Sequence, residues 1–384
     1  MSTQKPSEKA REITHLTTVH PPFDVRIFHK ECKSIARAGY DVTLIACHDR
    51  DEMREGVRIH ALPKAHGRLS RMIWGAWAIY REAIRQDADL YHFHDPELLP
   101  VGLLLRMRGK LVVYDVHEDV SADVAAKHYI PRALRRVVAW TAGTIESLSS
   151  RLLSGVVAAT TTISRRFAQD QHRVVVSNYP LLQEFQTTAP PVWEHRSLSV
   201  GYVGVLARDR CLPELIQAMS LLPEGLQATL KLAGNFSPST LREELAGTKG
   251  WERTRVMGVL DRAGVTGLLA DVRAGLVVLK PTPAYLDSAP VKMFEYMAAG
   301  IPIIASDFPR FREIVKGAMC GLLVRPDDPA GIAGAIEFIL THPEEAEGMG
   351  KRGHDAVVRK YNWASEERKL LHLYRTLLDS PCAA

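Results

Sequence analysis

From Ile13 to Pro326, short β-branched runs alternate with amphipathic stretches, and this alternation constrains the fold more than any single motif. ITHLTTV is followed by a helical pattern from Val25 to Ala38 that Gly39 stops, then by DVTLIAC. DLYHFH, a helix through LLPVGLLLRM, and KLVVYDV repeat the order. Strand, helix, strand in this sequence builds a parallel sheet with helices on both faces. The half ends near SNYP. The following EFQTTAPPVWEHRS, Glu184 to Ser197, is polar, carries Pro190 and Pro191, and reads as a linker. The alternation then restarts with SLSVGYVGVL, LPELIQAMSLL and QATLKLAG, and runs on through AGLVVLKP, PVKMFEYMAAG, IPIIASD, FREIVK and GLLVRP.

At 384 residues the chain is too long for one ordinary core and suits two domains. We place them at 1–190 and 191–360, with 361–384 a helix returning to the first domain through Trp363, Leu370, Leu371, Leu373 and Tyr374. The fold class is α/β, two doubly wound Rossmann-like domains facing a central cleft. In such sheets ligands bind outside the carboxyl ends of the strands, and every motif below sits at an expected strand end.

The chain is 46% hydrophobic and 24% charged, which excludes disorder and fibrous architectures. Its net charge of +5 suits anionic small molecules or peripheral contact with an anionic membrane surface, and is too mild for a dedicated nucleic-acid binder. Cys32, Cys47, Cys211, Cys320 and Cys382 are scattered, with no C-x-x-C pair. That pattern argues against a disulfide framework and a structural zinc. The opening MSTQKPSEKAR has no apolar core behind it, and no run approaches the roughly 18 apolar residues of a membrane span. The expected location is cytoplasmic, on a membrane surface if at a membrane at all.

The densest motif is PTPAYLDSAPVKMFEYMAAG. A strand ends near Lys280, a turn-rich loop follows, and Pro290 starts a helix at its favoured first-turn position. The helix N-terminus offers N–H groups and partial positive charge to an anion such as a diphosphate, Lys292 adds a full charge, and Glu295 can accept two ribose hydroxyls. The plain alternative is that Asp287 or Ser288 caps the helix while Glu295 pairs with a neighbour. GYVGVLARDRCLPELIQAM places a strand end at Gly204 and then Arg208 and Arg210 in a loop before a helix. Positive charge there would stabilise a departing diphosphate; a solvated basic loop is the alternative.

In the amino-terminal half, VVYDVHEDV puts Asp115, His117 and Glu118 at a strand end, where His117 either faces a ligand or simply packs. HFHDPELLP gives His92, His94 and Asp95. Strand alternation puts the two histidines on one face and Asp95 on the other, so we read no metal site there and take His94 and Asp95 as cleft-lining. The loop HPPFDVRIFHKE offers His20, Asp24 and Arg26 either to an acceptor or as a rigid proline loop with a capped helix. RLSRMIWGAWAIYREAIR carries an apolar stripe of Leu69, Met72, Ile73, Trp77, Tyr80 and Ile84 among Arg68, Arg71, Arg81 and Arg85. It fits interfacial membrane attachment, and it fits an ordinary packed helix, the reading we favour. PRALRRVVAWTAGTIESL has the same basic and aromatic character.

These stretches resemble retaining nucleotide-sugar glycosyltransferases of the GT-B fold, family four. The donor signature of that family has two glutamates separated by seven residues. Here Glu295 is the second, and Asp287 stands at the first with a shorter reach. The resemblance implies that Glu295 holds the nucleotide ribose and that Asp287 contacts the donor sugar. It also implies that Ser288, Lys292, Gly204, Arg208 and Arg210 surround the diphosphate and that His117 lies beside the transferred sugar. The family's glycine-rich step after the first carboxylate is SAP here, and Cys211 stands where glycine is usual. The HPPFDVRIFHKE loop is similar to bacterial polysaccharide-assembly members, which puts His20, Asp24, Arg26, His94, Asp95 and Glu118 on the acceptor side. The implied reaction needs no cofactor and no metal. It transfers a sugar, a UDP-sugar first among the donors, to a glycan or lipid-linked acceptor. A nucleotide-sugar 2-epimerase of the same fold and a non-catalytic sugar-nucleotide scaffold are the other readings. A nicotinamide dehydrogenase is disfavoured, since no G-x-G-x-x-G follows the first strand.

Overall fold

The computed structural model describes residues 10–64, 67–117, 132–167, 172–186, 193–286 and 288–380. Glu118 and Asp287 lie outside the described residues. Contacts divide the chain into two compact units, Met1–Asn178 with Ala364–Ala384, and Tyr179–Trp363.

In the first unit the described strands are β1 (Glu12–Leu16), β2 (Asp41–Cys47), β3 (Glu52–Arg54), β4 (Val57–Leu62), β5 (Leu90–Phe93), β6 (Leu111–Val116), β7 (Gly155–Ala158) and β8 (His172–Val175). They form one sheet in the order β3-β4-β2-β1-β5-β6-β7-β8. All pairings are parallel except β3 with β4, a hairpin whose two turn residues, Glu55 and Gly56, both take positive φ. The helices are α1 (Val25–Cys32, continuing as Lys33–Arg37), α2 (Ala76–Gln86, entered through Arg68–Ser70 and Arg71–Gly75), α3 (Leu99–Met107) and α4 (Arg132–Ser150). Asp24 caps α1 by accepting from the backbone N–H of Arg26 and Ile27, and Gly39 at φ 93° ends the turn beyond it. Leu16, Tyr91, Phe93, Tyr114 and Val156 of the sheet bury against Ile79, Ala83, Leu98 and Leu105 of the helices.

The second unit has a six-stranded parallel sheet among its described residues, made of β9 (Ser199–Val203), β11 (Thr229–Ala233), β13 (Thr254–Gly258), β14 (Ala274–Val277), β15 (Ile303–Ser306) and β16 (Gly321–Val324). Its order is β13-β11-β9-β14-β15-β16, and the short β10 (Leu206–Ala207) and β12 (Phe236–Ser237) pair beside it. Its longer helices are α5 (Leu212–Ser220), α6 (Arg262–Asp271), α7 (Val291–Ala298), α8 (Pro309–Ala318), α9 (Pro329–Thr341) and α10 (Pro343–Arg359). Two apolar clusters form its core, one holding Leu215, Leu230, Leu276 and Ile336, the other Leu269, Val277, Phe294, Ile303 and Phe311.

Finally α11 (Trp363–Asp379) completes the first unit, where Tyr374 is buried and its hydroxyl hydrogen-bonds with His92 Nδ1 at 2.5 Å. The described parts of the expected linker, 184–186 and 193–197, are not free. Glu184 pairs with Arg262, Phe185 packs on the second core, and Trp193 is buried within it. The division therefore falls at 178/179, because Tyr179 and Leu182 already pack on the second unit's core.

Candidate functional site

Each sheet reverses its strand order once, and loops that leave the sheet at such a point splay apart and make room for a ligand. In the second unit the reversal lies between β9 and β14. The loop after β9 begins at Gly204, φ 132°, in a conformation that L side chains rarely adopt. A Cβ there would sit 3.7 Å from Lys292 Nζ, so glycine keeps the approach to that ammonium open. Lys292 comes from α7, which is locked to the sheet by Tyr296. Its hydroxyl accepts from Val203 N at 2.9 Å, and its ring lies where a side chain at Gly275 would stand.

Helix α7 starts one residue later than expected. Pro290 is its N-cap, at φ −60° and ψ 133°, and among the described residues no side-chain cap is seen. Ser288 Oγ instead donates to Tyr285 O at 3.0 Å. Lys292 is 9% exposed, and its Nζ stands 3.6 Å from the centre of the Tyr202 ring, a cation–π contact, with no hydrogen-bond partner among the described residues. Burial, reinforced by Arg210, pushes its pKa well below the usual lysine value. Arg210 lies over the Tyr285 ring at 4.6 Å, and Tyr285 donates to Asp209 at 2.6 Å. Arg208 turns away to pair with Glu244, which makes Arg210 the loop cation nearer Lys292. Cys211 takes the left-handed conformation, φ 52°, which is the physical reason glycine would suit that position. Glu295 is buried and accepts from Arg262 Nη1 at 2.8 Å, while Arg262 also binds Glu184. Glu295 thus has the neighbour that the plain alternative foresaw. Arg262, Tyr202 and Tyr285 were not singled out in the sequence, since no local pattern ties them to α7.

In the first unit the order reverses between β1 and β5. There Asp95 does not line an open surface. It is 1% exposed, and its Oδ2 accepts from Thr17 Oγ1 (2.9 Å), Thr18 N (2.6 Å), Thr18 Oγ1 (3.1 Å) and Val19 N (3.2 Å). It fastens the loop after β1. His20, on that loop, keeps partial exposure, with Asp95 at 3.5 Å, Asp24 at 3.7 Å and the His117 ring edge-on at 5.3 Å. Burial raises the Asp24 carboxyl, but hydrogen bonds from His20 and from the α1 backbone outweigh it and hold the carboxyl low. Arg26 also turns inward, bidentate on Asp115 at 3.0 and 2.8 Å and donating to Val176 O at 2.9 Å. Its role is internal, because a guanidinium this buried must be paired.

His94 is buried as well. Its Nδ1 lies 3.2 Å from Asp115 Oδ2, and its Nε2 lies 2.9 Å from His15 Nδ1. Burial lowers the pKa of His15 and His92 well below the usual range, and that of His94 to about 4, so all three imidazoles are neutral. His117 ends the series. Its side chain is 16% exposed, with Nδ1 3.3 Å from Asp115 Oδ2, and among the described residues both ring nitrogens are buried without a hydrogen bond. Burial raises the Asp115 carboxyl, but Arg26 first and then His117 and His94 outweigh it and hold it ionised. A carboxylate behind Nδ1 fixes the ring and leaves Nε2 for a ligand.

Beside this network, Thr18–Pro22, Cys47, Lys64, Gly67 and Arg71 line a cavity of about 630 Å³. Arg71 is held by both oxygens of Glu97, at 2.9 and 3.1 Å. The two readings of the neighbouring helix divide it between them. Leu69, Ile73, Trp74 and Trp77 are exposed, whereas Ile79, Tyr80 and Ala83 of α2 are buried. Among the described residues no helix is long and apolar enough to cross a membrane, and Cys32, Cys47, Cys211 and Cys320 are unpaired.

A family model described as glycosyl transferases group 1 matches residues 187–356, and one described as glycosyltransferase family 4 matches residues 25–179. The chain is 30% identical over 337 residues to a phosphatidyl-myo-inositol mannosyltransferase of Mycobacterium leprae, covering 84% of this chain and 80% of that protein. It is 22% identical over 388 residues to a glycogen synthase of Mycobacterium tuberculosis, covering 91% of this chain and 90% of the other. Among solved structures it resembles sucrose-phosphate synthase from Thermosynechococcus elongatus, with a TM-score of 0.77, 19% identity, and 97% and 100% of the two chains covered. It also resembles Anabaena HepE in complex with UDP, with a TM-score of 0.73, 15% identity, and 95% and 100% covered.

Proposed function

The chain belongs to the family 4 glycosyltransferases of the GT-B fold, and from that premise we propose that it moves a glycosyl group from a UDP-sugar to a hydroxyl of a glycan or lipid-linked acceptor, with retention, in bacterial exopolysaccharide or O-antigen-type synthesis. The observation that carries the donor reading is Lys292. A buried lysine amine with no hydrogen-bond partner among the described residues, beside a glycine at a strand-order reversal and in the first turn of a helix, is a site waiting for an anion. UDP is supported by the complex of the structural neighbour, and a lipid-linked acceptor by the name of the mannosyltransferase relative. The cavity beside His20, with Lys64 and Arg71 on its wall and exposed Leu69, Ile73, Trp74 and Trp77 nearby in the chain, suits an acceptor with an anionic head and an apolar tail at a membrane surface.

In this reading the bond between the sugar's anomeric carbon and the diphosphate oxygen breaks as the acceptor oxygen bonds to that carbon on the same face. The acceptor proton passes to the departing phosphate oxygen, so no side chain serves as nucleophile. Lys292 and Arg210 take up the charge that develops on the diphosphate, which lets the site work without a metal at the donor. Glu295 receives the ribose hydroxyls, Asp287 the donor sugar, and His117 Nε2 orients the transferred group.

The test is incubation with a panel of nucleotide-sugars and a membrane lipid extract, following nucleoside diphosphate release and label in lipid. Acceptor-dependent release is expected. Sugar interconversion without release would point to an epimerase, and binding with neither would point to a scaffold. His117→Ala should keep nucleotide affinity within about twofold while turnover falls by roughly 10², the size of effect of a misplaced reacting group.

A further inference from the structure

Beneath His117, in the first unit alone, four side chains from three elements converge: His15 from β1, Glu31 from α1, and His92 and His94 from β5 and its end. One ligand atom from each can be chosen so that all four lie within 4.8 Å of one another. The close pairs are His15 Nδ1 to His94 Nε2 at 2.9 Å, Glu31 Oε2 to His94 Nε2 at 4.0 Å, and Glu31 Oε2 to His92 Nδ1 at 4.0 Å. The three imidazole centroids are 4.7 to 5.1 Å apart. We propose that His15, Glu31, His92 and His94 form a buried binding site for one divalent first-row transition ion, with zinc the best fit.

Three observations carry this. The first is distance. A tetrahedral zinc with bonds of about 2.0–2.2 Å spaces its ligand atoms about 3.3–3.5 Å apart, so ligand atoms that now lie within 4.8 Å of one another close on an ion by shifts of at most about 1.4 Å. The second is the outer partners. His94 offers Nε2 to the cluster while Nδ1 is held by Asp115 at 3.2 Å, and His15 offers Nδ1 while Nε2 lies 3.3 Å from the Tyr374 hydroxyl. Histidines that bind metals are oriented in this way, by a carboxylate or another polar group on the far nitrogen. The third is unmet bonding. Among the described residues both Glu31 oxygens are buried without a hydrogen-bond partner, and His92 Nδ1, 2.5 Å from the Tyr374 hydroxyl, would exchange that bond for the ion. Arg26 Nε stands 3.0 Å from Glu31 Oε1, but its N–H groups are directed at Asp115 and at Val176 O. Two fully buried carboxyl groups, Glu31 and Asp115, therefore share one guanidinium.

Four protein ligands fill a tetrahedral ion, so the site is structural rather than a catalytic centre with an open position. It would pin β1, α1 and β5 together. Through His94 and Asp115 it would also set the orientation of His117.

The experiment uses the tag-free full chain, stripped by a chelator and titrated with Zn²⁺, with bound metal measured by mass spectrometry and stability by thermal melting. One ion per chain is expected, and the melting temperature should rise by roughly 5–10 °C at a hundredfold excess over Kd. Co²⁺ in its place should give the visible d–d bands of a tetrahedral ion. Glu31→Gln, which keeps the shape of the side chain, and His92→Asn should each remove the metal-dependent rise and the bands. Wild-type chain that binds no ion and melts unchanged on metal addition would overturn the site. So would metal binding that both variants retain, since the ion would then be held at the surface. UDP binding to the second unit is a separate readout, so failure of the metal site and failure of the transferase reading are distinguishable.

Discussion

The two strand-order reversals teach different things about polar residues at strand ends. In the first unit the charged groups mostly satisfy one another. Asp95 is consumed by four donors of the β1 loop, and Arg26 by Asp115 and Val176 O. In the second unit the equivalent position holds Lys292, buried and without a hydrogen bond. A saturated network fixes geometry, while an unsaturated cation is an affinity held in reserve. A strand-end charge in the sequence does not say which of the two it will become.

The largest expected effect tests the reserve directly. Lys292→Met should weaken UDP binding roughly 10- to 150-fold, the range of a hydrogen bond to a charged group worth about 1.5–3 kcal/mol. It should also leave the melting temperature unchanged or slightly raised, because a buried amine without a hydrogen-bond partner is removed. The pH dependence has a definite sign. Burial and Arg210 depress the Lys292 pKa below its ordinary 10.5, and a bound diphosphate would raise it again, so binding takes up a proton. Above pH 7, where the diphosphate is ionised, wild-type affinity should fall as pH rises, by up to tenfold per unit, and the Lys292→Met profile should be flat. Calorimetry in buffers of differing ionisation enthalpy measures the proton directly. A variant that melts lower and binds as wild type would erase the contrast between the units.

Glu295→Ala comes next. If Glu295 holds the ribose as well as Arg262, UDP affinity should fall about tenfold and the nucleotide-dependent thermal shift should shrink with it. A lower melting temperature with the shift intact would make Glu295 a partner of Arg262 alone. Asp95→Asn should lower stability by about 1–3 kcal/mol, since a carboxylate that accepts four hydrogen bonds is replaced by a group that accepts fewer. UDP affinity should stay within twofold, as read by urea unfolding and titration. Cys211→Gly should have the smallest effect, within about 1 kcal/mol of wild type. Relief of the left-handed backbone is offset by loss of a buried thiol, and the urea midpoint measures the balance.

Much of the fold could be read from the chain because parallel sheets announce themselves locally. IPIIASD and KLVVYDV are buried on both faces, and the helices between them carry one apolar stripe. The donor motif could be read for the same reason, since Lys292 and Glu295 lie within one turn of a single helix. The first-unit network could not. Arg26 meets Asp115 across 89 residues, and His92 meets Tyr374 across 282. His94 and Asp95 read alike as strand-end polar residues, and only the packing of the β1 loop showed both to be internal. The absence of paired cysteines argued against a structural zinc, but an imidazole and carboxylate cluster assembled from distant strands leaves no spacing to find.

Helix α11 carries a consequence for biosynthesis. Tyr374 bonds to His92 and lies beside His15, and Glu366 accepts from Ser177 N, so residues made after the whole second unit complete the interior of the first. On the ribosome, residues 179–363 emerge as one uninterrupted stretch and can fold as they appear. The unit that starts first must finish last, its histidine-rich interior open to water until residue 374 has left the exit tunnel.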